Sequence, residues 1–166
     1  MMIETERLEL IPLPPRQIRL WVEDMPRLEK ELAAEYRAEP LEGHFLNVVN
    51  RILAIVENDP SNYSWSSFWF MLRKSDRIII GSADFKGVPD ENGNVEIGYG
   101  LGKAFERNGY MTEAVRAMCD WAFQQGNVAS VTAQTAPDNV ASQNVLKRCG
   151  FTLCSQGEMF RWKREA

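Results

Sequence analysis

The hydrophobic period of this chain changes within one short stretch, Asn94 to Glu113, and that change most constrains the fold. Val95, Ile97, Tyr99 and Leu101 alternate with Glu96, Gly98 and Gly100, the period of two that marks a strand. From Met111 onward, Met111, Ala114, Val115, Met118, Ala122 and Phe123 follow the three-and-four spacing of an amphipathic helix. The junction between them holds Arg107, Asn108 and Gly109. A glycine just before a helix lets a ligand approach the main chain closely. The first N–H groups of the helix have no partner in the chain and carry partial positive charge. Strand, glycine and helix N-terminus together suggest a seat for phosphate, although most strand-to-helix junctions with one glycine bind nothing. Two common versions of such a seat are absent. Gly98, Gly100 and Gly102 read GxGxG rather than the GxGxxG of dinucleotide folds, and no GxxxxGK(S/T) occurs.

A second segment adds to this. Val131 to Thr135 reads as a strand, Pro137-Asp138-Asn139 as a turn and helix start, and Val140 to Arg148 as a short helix ended by Gly150-Phe151. In these two segments the chain resembles the GNAT acetyltransferase superfamily. The loop after that family's fourth strand reads Gln/Arg-x-x-Gly-x-Gly/Ala and wraps the pyrophosphate of acetyl-CoA. Here it is Glu106-Arg107-Asn108-Gly109-Tyr110-Met111. A later Asn-x-x-Ser/Ala segment touches the rest of the cofactor, and here it is Asn139-Val140-Ala141-Ser142. Glu106 and Met111 depart from the family's pattern. The loop binds through main-chain N–H groups, so Glu106 is free to turn to solvent, and Met111 is flexible enough to bend toward the core. The opening Glu4-Thr5-Glu6-Arg7-Leu8-Glu9-Leu10 and the run Glu96-Ile97-Gly98-Tyr99 resemble the RimJ/RimL-like subgroup, which includes acetyltransferases of ribosomal-protein N-termini and members acting on small molecules.

The resemblance implies one domain over residues 1–166 with an α/β (α+β) GNAT fold. Its single mixed, mostly antiparallel sheet has about seven strands flanked by helices, and the parallel fourth and fifth strands splay at the cofactor site. It implies acetyl-CoA as co-substrate and transfer of acetyl to an amine. The residues expected at the cofactor are Tyr99, Gly100, Leu101, Arg107, Asn108, Gly109, Tyr110, Met111, Thr112 and Asn139, with Ser142 and Asn144 either touching it or serving as helix caps and surface polarity. The resemblance also implies that a main-chain N–H within Tyr99–Leu101 stabilises the thioester oxyanion.

An alkyl amine is mostly protonated near neutral pH, so the site needs a base. Glu96 is the candidate. It lies mid-strand, out of phase with the apolar residues, on the face it shares with Gly98 and Gly100; relatives commonly have a glutamate there. A solvent-facing strand carboxylate is the other reading of the same residue. Many relatives carry a tyrosine acid seven residues beyond the motif's Asn, but Leu146 stands there in this chain. His44, the only histidine, lies at a helix start and reads as structural or exposed. Cys149 reads as packing, and Trp65, Trp69 and Trp162 as core or rim. A non-catalytic CoA-binding module of the same fold, or an α/β protein binding another phosphorylated ligand, would share much of this pattern.

Composition narrows the partners. A chain of 166 residues with 25% charged side chains suits one soluble domain, and its net charge of −4 argues against nucleic acid. No apolar run is long enough for a membrane span, the start lacks a signal-peptide pattern, and three cysteines without a CxxC pair suggest neither a disulfide framework nor a zinc site. A cytoplasmic monomer or homodimer without metal is expected. Residues 1–60 carry 12 acids and 7 bases. In the family the segment between the first two strands, here about 14–64, covers the acceptor. Its Glu23, Asp24, Glu29, Glu31, Glu35, Glu39 and Glu42 suggest a cationic small-molecule or peptide amine.

Periodicity predicts strands at Leu8–Leu13, Phe68–Arg73, Ile78–Phe85, Thr152–Ser155 and Met159–Lys163. Two short helices broken near Pro26 are predicted, and a further one from Phe45 to Val56, with a hairpin turn at Asp90–Asn94.

Overall fold

The computed structural model describes residues 1–166. Nine strands form one open sheet: β1 (Ile3–Glu4), β2 (Leu8–Pro12), β3 (Glu35–Tyr36), β4 (Phe68–Arg73), β5 (Ile78–Phe85), β6 (Asn94–Leu101), β7 (Ser130–Thr135), β8 (Thr152–Gln156) and β9 (Phe160–Glu165). Six helices accompany it: α1 (Pro15–Glu23), α2 (Met25–Leu32), α3 (Gly43–Asn58), α4 (Tyr63–Ser66), α5 (Tyr110–Gln124) and α6 (Val140–Arg148). The strand order is β1-β2-β4-β5-β6-β7-β9-β8, with β3 beside β5. Only β3–β5 and β6–β7 are parallel pairs. The seven longer strands are those the sequence predicts. The two-residue β1 and β3 are additional, and β3 fills the edge of β5 at Ile78–Ile79, beyond the point where β6 pairs.

The middle of the sheet, β4 and β5, is buried on both faces, and β4 shows why. Phe68, Phe70 and Leu72 point one way, into a core with Leu13, Ile18, Trp21, Leu28, Val49 and Val56 of the α1–α3 layer. Trp69 and Met71 point the other way, into a core with Val95, Ile97, Ala114, Val115, Met118 and Val131 under α5 and α6. A strand buried on both faces loses its polar alternation. Each large apolar side chain so covered contributes about 1.5–3 kcal/mol relative to exposure.

Helix ends follow local chemistry. Proline is tolerated in the first turn, where its missing N–H is needed by nothing. Pro26 therefore sits inside the start of α2 rather than breaking a helix, and the break falls at Asp24, whose side chain accepts a hydrogen bond from the Arg27 N–H. At the hairpin before β6, Asp90 Oδ1 accepts from the N–H groups of Asn92 and Asn94, and Gly93 takes the positive φ of 76°.

Candidate active site

The sheet opens at β6. Its parallel pairing with β7 covers only Asn94–Ser130, Val95–Val131 and Glu96–Thr132, and then the strands part. On the other side β6 stays paired with β5 as far as Leu101 opposite Gly81. The Glu96 carbonyl accepts from the Lys86 N–H, and the Gly102 N–H donates to Ile80, so these residues direct their main chain at β5. Successive residues of a strand direct their main-chain groups to opposite edges. The Ile97 N–H still serves the Glu96–Thr132 pair, and those of Tyr99 and Leu101, further along, face the split, where no strand receives them. Glu96 belongs to the last residue pair before it.

One wall of the split is the loop into α5. Arg107 and Gly109 both have positive φ, 66° and 79°. Gly109 is the N-cap of α5 and no side chain caps it. The first helical bond runs from the Glu113 N–H to the Gly109 carbonyl, leaving Tyr110, Met111 and Thr112 with N–H groups unused by the helix. Glu106 is exposed and Met111 is buried in the α5 core, so the two departures from the family motif turn away from the loop's main chain. Asn108 Nδ2 donates to the carbonyls of Phe105 and Glu106 and stiffens the loop.

An N-terminal hook holds this loop, and the sequence reading missed it. Arg7 donates from Nε to Glu113 Oε1 at 2.8 Å and from NH1 to the Asn108 carbonyl at 2.8 Å, while its guanidinium lies 4.3 Å from the centre of the Tyr110 ring. Thr5 Oγ1 and the Arg7 N–H also donate to Glu113 Oε2. Partial burial pushes the Glu113 carboxyl up, but the bonds from Thr5 and Arg7 more than offset it, so it stays below the ordinary range. A depressed carboxylate stabilises the fold above its unfolded-state value, and that stability is lost as pH falls through the folded-state value. Glu113→Gln should therefore unfold at lower urea at neutral pH and show a shallower loss on acidification. Parallel urea-midpoint profiles for variant and wild type would overturn this.

The other wall is α6. Asn139 caps it, accepting from the Ser142 N–H at 3.1 Å, and is itself exposed. The Ser142 hydroxyl lies 2.7 Å from the Tyr99 hydroxyl, so α6 is tied to the free end of β6. Burial pushes the Tyr99 phenol up to about 12, and it stays protonated. Asn144 is half-buried in mid-helix. Leu146 is fully buried in the α5–α6 core. Cys149 is buried there as well, with its thiol directed at the Thr112 carbonyl.

On the α1–α3 face of β6, the face Glu96 shares with Gly98 and Gly100, lies a cavity of about 210 Å³ whose lining includes Tyr36, Phe45, Phe68, Ser82, Asp84 and Gly100. Glu96 is partly exposed and accepts from Gln134 Nε2 at 3.3 Å. Asp84, opposite Gly98, is a buried carboxylate that sequence reading did not single out. The acids expected to surround the acceptor are mostly engaged elsewhere. Glu23 pairs with Arg19, Glu31 with Arg16 and Glu35 with Arg37, while Glu29 accepts from the Tyr36 N–H. Glu39 alone of that set lines the cavity. His44 is exposed. Trp69 and Trp162 are core, and Trp65 packs on Phe85 and Trp121. No group of three or more His, Cys, Asp or Glu side chains is arranged to hold a metal, and no helix is long and apolar enough to cross a membrane.

A mixed sheet opened between two parallel strands, with an uncapped helix at the opening, is the arrangement that the resemblance to the GNAT acetyltransferases implies. Residues 7–152 match the acetyltransferase (GNAT) domain family, and the chain belongs to that family. It is 30% identical over 154 residues to the uncharacterized N-acetyltransferase YjdG of Bacillus subtilis (strain 168), covering 87% of this chain and 91% of that one. Among solved structures, the ribosomal-protein-S5-alanine acetyltransferase from Vibrio fischeri superposes with a TM-score of 0.70 at 20% identity, over 99% of this chain and 96% of that one. RimL, a ribosomal L7/L12 alpha-N-protein acetyltransferase in complex with coenzyme A, does so with a TM-score of 0.70 at 16% identity, over 99% and 98%.

Proposed function

We propose that the protein transfers the acetyl group of acetyl-CoA directly to a primary amine, with Glu96 as general base. The observation that carries this reading is the end of β6–β7 pairing at Glu96–Thr132. It leaves one strand edge open between the uncapped start of α5 and a cavity that contains carboxylates. The pyrophosphate would rest on the N–H groups of Tyr110 to Thr112 and on the loop at Arg107–Gly109, where the helix field favours anions. The thioester would lie along the free edge of β6, its carbonyl oxygen toward the N–H of Tyr99 or Leu101. Asn139, Ser142 and Asn144 would border the cofactor from the α6 side. RimL, in complex with coenzyme A, shares this fold and supports acetyl-CoA as the co-substrate.

The acceptor arrives as an ammonium ion. One of its protons passes to Glu96, directly or through water, and the freed nitrogen lone pair attacks the thioester carbonyl carbon. The tetrahedral intermediate expels the thiolate, a tolerable leaving group because thiols have a pKa of about 8.5. The second nitrogen proton goes to that sulfur, giving amide, free thiol and a proton on Glu96 that returns to solvent. Leu146 supplies no acid, and this balance needs none.

The test is thiol release from acetyl-CoA over a panel of primary amines and peptide N-termini. Release above acceptor-free hydrolysis for at least one class is expected. Stabilisation by acetyl-CoA with no release on any amine would mean a non-catalytic CoA-binding module. Stabilisation by ATP or NAD and not by acetyl-CoA would mean a different phosphorylated ligand.

A further inference from the structure

The cavity on the α1–α3 face contains a carboxylate for which the reaction above has no use. Asp84 stands in β5 opposite Gly98 and is 4% exposed. Burying an ionised carboxylate is costly unless it is paired and hydrogen-bonded. Here the compensation is incomplete. Lys86 Nζ lies 2.9 Å from Asp84 Oδ2, within ion-pair range, and no other group donates to this buried oxygen. Glu96, on the same face, adds negative charge. Burial raises the Asp84 carboxyl above its ordinary value, Lys86 lowers it only in part, and Glu96 raises it further.

Lys86 reaches this oxygen from the solvent side, with its own side chain 48% exposed. Its ammonium lies over Gly98. A Cβ on Gly98 would come 2.9 Å from Lys86 Nζ and 3.3 Å from Asp84 Oδ1. The missing side chain therefore makes room for one primary ammonium between β5 and the open part of β6. Lysine's four-carbon stem is flexible and this one approaches from solvent, so its head can swing back into water and leave the carboxylate to another cation. The group that fills the space can be exchanged for another of the same kind.

We propose that Asp84 is the anchor for the acceptor's ammonium group and that Lys86 occupies that anchor until the acceptor displaces it. This rests on the amine-acetylation reading and narrows it. The rest of the cavity wall includes Tyr36, Phe45, Val48 and Phe68, with Ser82 and Glu39 as polar members. The acceptor is therefore a primary ammonium carried on an apolar or aromatic body. An amino sugar would bring hydroxyl groups to walls with few partners for them.

The test uses the intact protein, its Asp84→Asn and Lys86→Met variants, and benzylammonium chloride as probe. Without acetyl-CoA, benzylammonium should raise the melting temperature of Lys86→Met more than that of wild type, because the internal competitor is gone. It should leave Asp84→Asn unmoved, and neutral benzyl alcohol should move none of the three. In turnover, Asp84→Asn should raise the KM for the amine about 10–100-fold, the effect of losing one hydrogen bond to a charged group, with the KM for acetyl-CoA unchanged. Equal stabilisation of Asp84→Asn and Lys86→Met by benzylammonium would overturn the proposal, as would a wild-type amine KM in Asp84→Asn. If Asp84→Asn does not fold, a benzylammonium shift in Lys86→Met no larger than in wild type overturns it alone. The melting shifts need no acetyl transfer. The anchor and the acetyltransferase reading can therefore fail separately.

Discussion

Acetyl-CoA should no longer raise the melting temperature of a Gly109→Val variant. Gly109 has a φ of 79°, in the left-handed region where a β-branched residue is a genuine outlier. Holding a non-glycine residue in so sparsely populated a conformation costs about 1–3 kcal/mol. A Cβ here would also come 3.3 Å from Arg7 NH2, the guanidinium whose other amino group binds the Asn108 carbonyl. Valine therefore forces the loop out of its turn and pushes the hook that steadies it, while the remainder of α5 stays packed through Met111, Ala114, Val115 and Met118. Domains are typically stable by about 5–15 kcal/mol, so the variant should fold, with a lower melting temperature in the absence of ligand. The measurement is sensitive, because a ligand at about 100 times its dissociation constant stabilises by about 2.7 kcal/mol. An acetyl-CoA shift equal to that of wild type would place the pyrophosphate elsewhere.

The elements that position this loop were legible because their signals are periodic and local. The ranges predicted for β4, β5 and α6 coincide with those observed, and the Asp90–Asn94 turn is built by the residue types that mark it. Elements fixed by distant partners were not legible. Two residues carry no period, so β1 and β3 had no signature; β3 exists because β5 has an open edge at Ile78–Ile79. The helix break expected near Pro26 falls at Asp24, because proline is accommodated in the first turn of α2 and the Asp24 side chain caps it.

The site divides along the same line. The loop, the Asn139 cap and Glu96 belong to short contiguous motifs. Asp84 and Arg7 owe their surroundings to residues far away in sequence: Gly98 across the sheet for one, Glu113 and Asn108 for the other. Asp84 left one trace in the sequence, an acid within the otherwise apolar and small run Ile78 to Phe85, and aspartate is almost never fully buried unless paired. The acidic excess of residues 1–60 misled in detail. Charge counting cannot see that arginines of the same segment neutralise Glu23, Glu31 and Glu35. Of the acids counted there, Glu39 reaches the cavity, and the carboxylate most deeply set in its wall, Asp84, comes from a different element.

Glu96→Gln should retain acetyl-CoA binding and lose about 10²–10⁴-fold in turnover, the range for removing a positioned general base. The substitution is nearly isosteric. A glutamine carbonyl can still accept from Gln134 Nε2, which now donates to Glu96 Oε1, so the strand and the split should be preserved. Loss of rate then reports loss of proton acceptance. As pH rises toward the amine's own value, about 10.4 for an alkyl amine and about 8 for a peptide N-terminus, more acceptor is deprotonated without help, and the deficit should shrink. Asp84 makes the experiment discriminating, because the two carboxylates share one face of the sheet and their charges interact. If Asp84 anchors the ammonium, its Asn variant raises the amine KM and Glu96→Gln lowers kcat. If Asp84 were itself the base, Asp84→Asn would lower kcat with the pH dependence expected of Glu96→Gln. A near wild-type rate for Glu96→Gln at every pH would remove Glu96 from the role.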